Sequence, residues 1–190
     1  MMTYSYMGCH KSRSLTITPL DCLWLMRMCV GEGGKNCSEE KCAALLWAIT
    51  NRFLLHPSRF KWRTFIALIR SFSQPINPAW MSGGKFILRY LSAPLKWFRT
   101  KEACSPVRQA RRAAICKLQL ADIPKPIKQC VYKFADGNLP LPSAVMYLGK
   151  NRISNWASLL STPKKYYWGI DVDGDWFFED SNLLEGSVSY

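Results

Sequence analysis

A chain of 190 residues, 48% of them hydrophobic, is long enough for one domain with a full core and needs no staples to hold it. Lys and Arg number 26 against 13 Asp and Glu, a net charge of +13, which attracts polyanions such as nucleic acid, phosphate-rich envelopes or anionic lipid. Eight cysteines without a CxxC pair, joined only by His10 and His56, exclude the paired spacing of an ordinary zinc site. The thiols read as mostly reduced core residues of a protein made in a cytosol; whether any of them pair is left open. The eight tryptophans suit either a core or a groove for a flat polar ligand such as a sugar.

In chain order, residues 1 to 17 read as a polar, basic N-terminal arm, not a signal peptide. "TPLD" starts a helix, with Thr18 as N-cap, Pro19 at the first position and Asp21 near the third. The helix continues through "LDCLWLMRMCV", apolar almost all round and therefore central to the core. Asp21 and Arg27 interrupt it, and it is too short to span a bilayer. "NCSEEKCAALLWAITNRFLLHP" is a second helix, capped by Ser38, with Glu39 and Glu40 at its positive end. Its Cys42, Leu45, Leu46, Ile49 and Phe53 share one face, and Pro57 closes it. "WRTFIALIRSF" is a third, with Phe65, Leu68, Ile69 and Phe72 inward.

"SQPINPAWMSGGK" is a loop carrying an exposed Trp80, and residues 86 to 99 hold a short helix broken at Pro94. "SPVRQARRAAICKLQLA" is a helix capped by Ser105, opened by Pro106 and made basic on one side by Arg108, Arg111, Arg112 and Lys117. Residues 122 to 142 are proline-spaced and irregular. "YYWGIDVDGDWFFED" is two aromatic-rich runs around Asp173-Gly174, a β-hairpin signal. The sum is an α+β, mainly helical chain of the lysozyme-like kind with a small C-terminal β-hairpin.

The stretch with the clearest chemical content is "CVGEGGKN". Glu32 sits where the central helix stops, at the end whose partial charge repels a carboxylate. There, among apolar neighbours, a carboxyl group is expected to hold its proton to higher pH. A general acid needs that property to protonate a glycosidic oxygen. The competing reading is a solvated glutamate in a glycine-rich turn. "DVDGD" places its glycine too early for a calcium loop, with Asn182 where the closing glutamate belongs, so a hairpin turn explains it better. "GEGG" lacks the strand and lysine of a phosphate loop, and no Ser/His/Asp or Cys/His set stands out. No metal and no cofactor is expected.

The order of these pieces resembles the bacterial cell-wall hydrolase family that includes the spore-cortex-lytic enzymes. The matching residues are Gly31-Glu32, the small pair Gly33-Gly34, the apolar helix over 43 to 48 and Asn51-Arg52. "FIALIRSFSQPINPAW" is similar to the family's helix and glutamine loop. "SAVMYLGKNRISNW", with Tyr147, Asn151 and Trp156, is similar to its later loop, and the aromatic hairpin follows. Pro75 departs from the aromatic that usually follows the loop glutamine. The resemblance covers residues 18 to 180 and implies a lysozyme-like catalytic domain, with 84 to 142 as an insertion and 181 to 190 as a tail. It implies Glu32 as catalytic acid and peptidoglycan glycan strands as substrate. Gln74, Asn77, Trp80, Tyr147 and Asn151 combine amide donors with flat aromatic faces, and they are expected to hold the glycan if loop 73–80 and segment 144–156 border one cleft beside Glu32.

None of Glu39, Glu40, Asp122, Asp136, Asp171, Asp173 or Asp175 has a sequence reason to face Glu32. A single acid suits a lytic transglycosylase, in which the sugar's own C6 hydroxyl attacks and leaves a 1,6-anhydro-muramic end. The basic surface and enlarged middle suggest a bacteriophage version. Such a protein is carried in the virion with tail or baseplate partners, or made in the host cytoplasm to act in the periplasm and cell wall. Two other readings stay open: a phage structural or adaptor protein that keeps the fold without activity, and a basic nucleic-acid-binding protein.

Overall fold

The structure, a computed structural model, describes residues 3–7, 12–55, 64–77, 106–139, 146–149, 166–172 and 175–180. Among these the chain is mainly helical, with five α-helices. Strands β1 (Thr3–Met7) and β2 (Ser12–Thr16) pair antiparallel, Thr3 opposite Thr16 and Met7 opposite Ser12. Leu15 and Ile17 are buried. The segment expected as an arm is therefore attached: its last residues enter the core, and both strands approach the second helix. The sequence hid this because each strand is only five residues long, and residues 8 to 11 between them carry no tight hairpin-turn pair.

Helix α1 (Pro19–Gly33) opens with a reciprocal cap. The Asp21 amide donates to Thr18 Oγ1 at 3.1 Å, and the Thr18 amide donates to Asp21 Oδ2 at 2.8 Å. Leu25, Met26, Met28 and Cys29 are fully buried, as expected of an all-round apolar helix. Each such side chain contributes about 1.5–3 kcal/mol on burial, so α1 is the element around which the rest is built. It packs against α2 (Glu39–Leu55), α3 (Phe65–Phe72), α4 (Pro106–Lys117) and α5 (Lys125–Ala135).

Arg27, buried in this helix, is not left without partners. Its Nε and Nη2 donate to the Leu118 carbonyl at 3.0 and 2.8 Å, a cation at the negative end of α4. Its guanidinium lies 4.7 Å from the Trp24 ring centroid, and that of Arg70 lies 4.8 Å away. Burial lowers the Arg27 pKa from its ordinary value.

The expected faces of α2 and α3 are met where their side chains are described; that of Phe72 lies outside the description. Cys42, Leu45, Leu46, Ile49 and Phe53 of α2 are buried, as are Phe65, Leu68 and Ile69 of α3. Ser38 and Thr64 cap them, accepting from the amides of Lys41 and Ala67. Trp47 packs edge-on against Phe134 of α5, centroids 5.2 Å apart and planes at 86°, so this tryptophan is core rather than groove.

Residues 122 to 142 correct an expectation. They are not irregular throughout: α5 occupies Lys125–Ala135, with Pro124 as its N-cap and Pro126 in its first turn. Prolines there remove only amides that have no helical partner anyway. Ile127, Cys130, Val131 and Phe134 fall at helical spacing and are buried against α1 and α2. The region read as an insertion thus supplies part of the main core. The expected helix over 86–99 lies outside the described residues.

Near the C-terminus, β3 (Met146–Gly149), β4 (Tyr166–Val172) and β5 (Asp175–Asp180) form an antiparallel sheet in the order β3-β5-β4. Tyr147 and Ile170 both pair with Phe177 from opposite sides. Asp173 and Gly174, where a hairpin turn is expected, lie outside the described residues. Strands β3 and β4 approach α2.

Candidate functional site around Glu32

Glu32 lies in the last turn of α1, partly buried. The helix stops because Gly34 takes φ 78°, a left-handed conformation that favours glycine, while its amide closes on the Val30 carbonyl at 2.9 Å. The carboxylate therefore faces the negative end of its own helix. What offsets the repulsion comes from 41 residues away: Ser73 Oγ donates to Glu32 Oε1 at 2.8 Å. A hydroxyl on a carboxylate is a charge-assisted bond, among the stronger kinds.

Ser73 is held in turn. It is the C-cap of α3, its amide bonded to the Ile69 carbonyl at 3.1 Å, and it is 0% exposed. Its own carbonyl accepts from the Ile76 amide at 3.2 Å, closing a single 3₁₀ turn over Gln74–Ile76. That turn lies directly on the end of α1. A Cβ on Gly31 would come within 2.6 Å of Pro75 Cβ, closer than side chains tolerate. Glycine at 31 and proline at 75 are thus matched, which gives Pro75 a structural reason of its own. On the far side, the Cys116 thiol of α4 lies 3.7 Å from the Ile76 carbonyl, and Ile76 is fully buried.

Of the other expected site residues, Gln74 opens this turn next to Ser73. Asn77 closes it, and its Nδ2 donates to the Ser71 carbonyl at 2.9 Å, so part of its amide secures the end of α3. The backbone therefore brings Glu32 and the 73–77 segment together. Tyr147 sits in β3, opposite Phe177. Trp80 and Asn151 lie outside the described residues.

Two of the carboxylates considered as a second acid have local partners. Glu39 pairs with Lys133 of α5, which raises the lysine's pKa. Asp122 accepts from the Gln119 amide at 2.8 Å. Asp136 is exposed at the C-cap of α5. The cations of α4 divide: Arg112 is buried, while Arg111 and Lys117 are exposed.

Sequence reasoning missed Ser73. The available signal was faint: a serine between the apolar end of a helix and Gln-Pro, where a small polar cap is natural. Nothing local says that its hydroxyl meets Glu32. Among the described residues no helix is long and apolar enough to cross a membrane, and no group of three or more His, Cys, Asp or Glu is placed to hold a metal ion. Comparison with protein-family models, with curated proteins and with solved structures finds no match.

Proposed function

We propose that the chain cleaves the β-1,4 bond between MurNAc and GlcNAc in peptidoglycan, as a lysozyme-like lytic transglycosylase. The observation that carries this reading is Glu32 itself: a carboxyl group at the disfavoured end of a buried helix, gripped by the fully buried Ser73 hydroxyl at 2.8 Å. A carboxylate kept there against its helix dipole, and fixed in orientation by a distant residue, suits chemistry better than stability.

In the proposed reaction the Glu32 carboxylic acid gives its proton to the leaving glycosidic oxygen. The carboxylate so formed takes the proton of the muramyl C6 hydroxyl as that oxygen attacks C1. One acid serves both steps, so no activated water and no second carboxylate is required. Ser73 positions the carboxyl group. Gln74 and Asn77 on the adjoining turn, with Trp80, Tyr147 and Asn151, are the proposed glycan contacts. A basic protein of this activity fits a bacteriophage that opens the host wall, from the virion tail or at lysis, with tail or baseplate proteins as partners in the former case.

A zymogram on purified murein tests the reading. The wild-type protein should clear the gel, and Glu32→Gln, which keeps shape but cannot give the proton, should not. No clearing by the folded wild type would leave the fold as a structural or adaptor protein. Steeply salt-dependent DNA binding would favour the nucleic-acid reading instead.

A further inference from the structure

Three buried thiols meet where α1, α2 and α5 pack together. The Cys42 thiol of α2 donates to Cys29 Sγ of α1 at 3.2 Å, and Cys42 also bonds to Cys130 of α5. Cys29 and Cys42 are both 0% exposed and Cys130 is 1% exposed. The geometry points to Cys29 and Cys42 as a disulfide-forming pair, closed by an external disulfide oxidant, that clamps the last turns of α1 to the first turn of α2. This inference does not depend on what Glu32 cleaves.

Proximity favours Cys29 over Cys130 as the partner of Cys42. The two are 13 residues apart in the chain, whereas Cys130 must be brought back across a far longer loop, so closure costs less entropy for the nearer pair. Cys130 has a further weak contact, its thiol 3.8 Å from the Glu39 carbonyl.

The balance is simple. Two thiols and one molecule of oxidised glutathione give one protein disulfide and two molecules of reduced glutathione. The two thiol protons and two electrons pass to the glutathione sulfurs.

Burial also sets when the bond forms. The bond from Cys42 pulls the Cys29 thiol down, but burial together with the neighbouring Cys37, Cys130 and Glu32 outweighs it, and the net direction is up. Its bond to Cys42, then burial, push the Cys130 thiol up as well. Protonated, enclosed thiols are poor nucleophiles. The folded, reduced protein therefore keeps them, and oxidation occurs while the chain folds or opens in an oxidising compartment. Cys29 is one helical turn before Glu32, so the bond would restrain the helix end that carries the carboxylate.

The test is to refold the full chain once in a buffer of oxidised and reduced glutathione and once in reductant. Each sample is then blocked with an alkylating agent and mapped without reduction. The oxidised sample should yield one peptide linking Cys29 to Cys42, and its melting temperature should rise by roughly 5–10 °C, reversibly on reduction. Cys42→Ala should abolish the rise, and Cys22→Ala should keep it. If Cys42→Ala does not fold, the wild-type map alone decides. Fully alkylatable Cys29 and Cys42 after oxidative refolding would overturn the assignment, as would a Cys42–Cys130 link.

Discussion

Helix α1 carries a carboxylate at each end, and each accepts a hydroxyl. At the start, Thr18 Oγ1 donates to Asp21 Oδ2 at 2.6 Å; at the finish, Ser73 Oγ donates to Glu32 Oε1 at 2.8 Å. The resemblance stops there. Asp21 faces the positive end of the dipole, its partner is three residues away, and the pair is a helix cap. Glu32 faces the negative end, where a carboxylate is disfavoured, and its partner caps the end of another helix. One end is built for stability and the other at the expense of it.

Exchanging each carboxylate for a neutral group should separate the two ends. Glu32→Gln is expected to lower murein cleavage by at least about 100-fold with the melting temperature unchanged or raised. Asp21→Ala should do the reverse, keeping cleavage and losing about 1 kcal/mol of stability, or roughly 2–4 °C in melting temperature. Cleavage assays and thermal melts on the two variants side by side check both. Equal thermal losses from the two would erase the contrast.

Next in size is Ser73→Ala. It removes the group that orients Glu32 without touching substrate, so kcat should fall roughly 10–100-fold while KM for soluble glycan fragments stays put. A change confined to KM would place Ser73 in substrate binding instead. Gly31→Ala should act on the same site through packing. The new methyl meets Pro75 and displaces the 74–76 turn, costing about 1–3 kcal/mol and part of the activity. A thermal melt and an assay on that variant measure it. An unchanged melt would mean that the turn yields freely and does not fix Ser73.

The smallest expected effect concerns pH. Burial, with Asp21 beside it, pushes the Cys22 thiol above its ordinary value of 9.0, and burial does the same for Cys116 against the pull of Arg70 and Arg27. Raised thiols contribute stability that is complete below the unfolded value and is lost as pH rises through the folded one, because the unfolded thiols ionise first. Under reductant, the melting temperature should therefore decline above about pH 9. Replacing both Cys22 and Cys116 by Ala should lessen that decline, the raised thiols of Cys29, Cys42 and Cys130 keeping the remainder.

The same contrast decides what the sequence could reveal. Caps are local, so Thr18, Ser38 and the start of α4 at Pro106 were legible, as were the inward faces of α2 and α3, although the Thr64 cap of α3 was passed over. The stop of α1 at the glycines was legible too, and with it the odd placement of Glu32. The α5 helix was hidden because Pro124 and Pro126 read as breakers, although both stand where a helix tolerates them. The β1–β2 pair was missed although Tyr4 and Tyr6 alternate with Thr3 and Ser5, because over five residues such alternation is a weak signal. Ser73 was hidden for the deepest reason: its meaning lies in a contact made only when α3 packs on α1.

The most direct test of the central claim, that Glu32 alone carries the cleavage, is mass spectrometry of purified murein digested by the wild-type protein and by Glu32→Gln. The wild type should yield 1,6-anhydro-muramic ends, lighter than hydrolysed ends by one water, and the variant none. Reducing ends alone would contradict the claim, since they require a second carboxylate to activate water, and anhydro ends from Glu32→Gln would remove Glu32 from the chemistry.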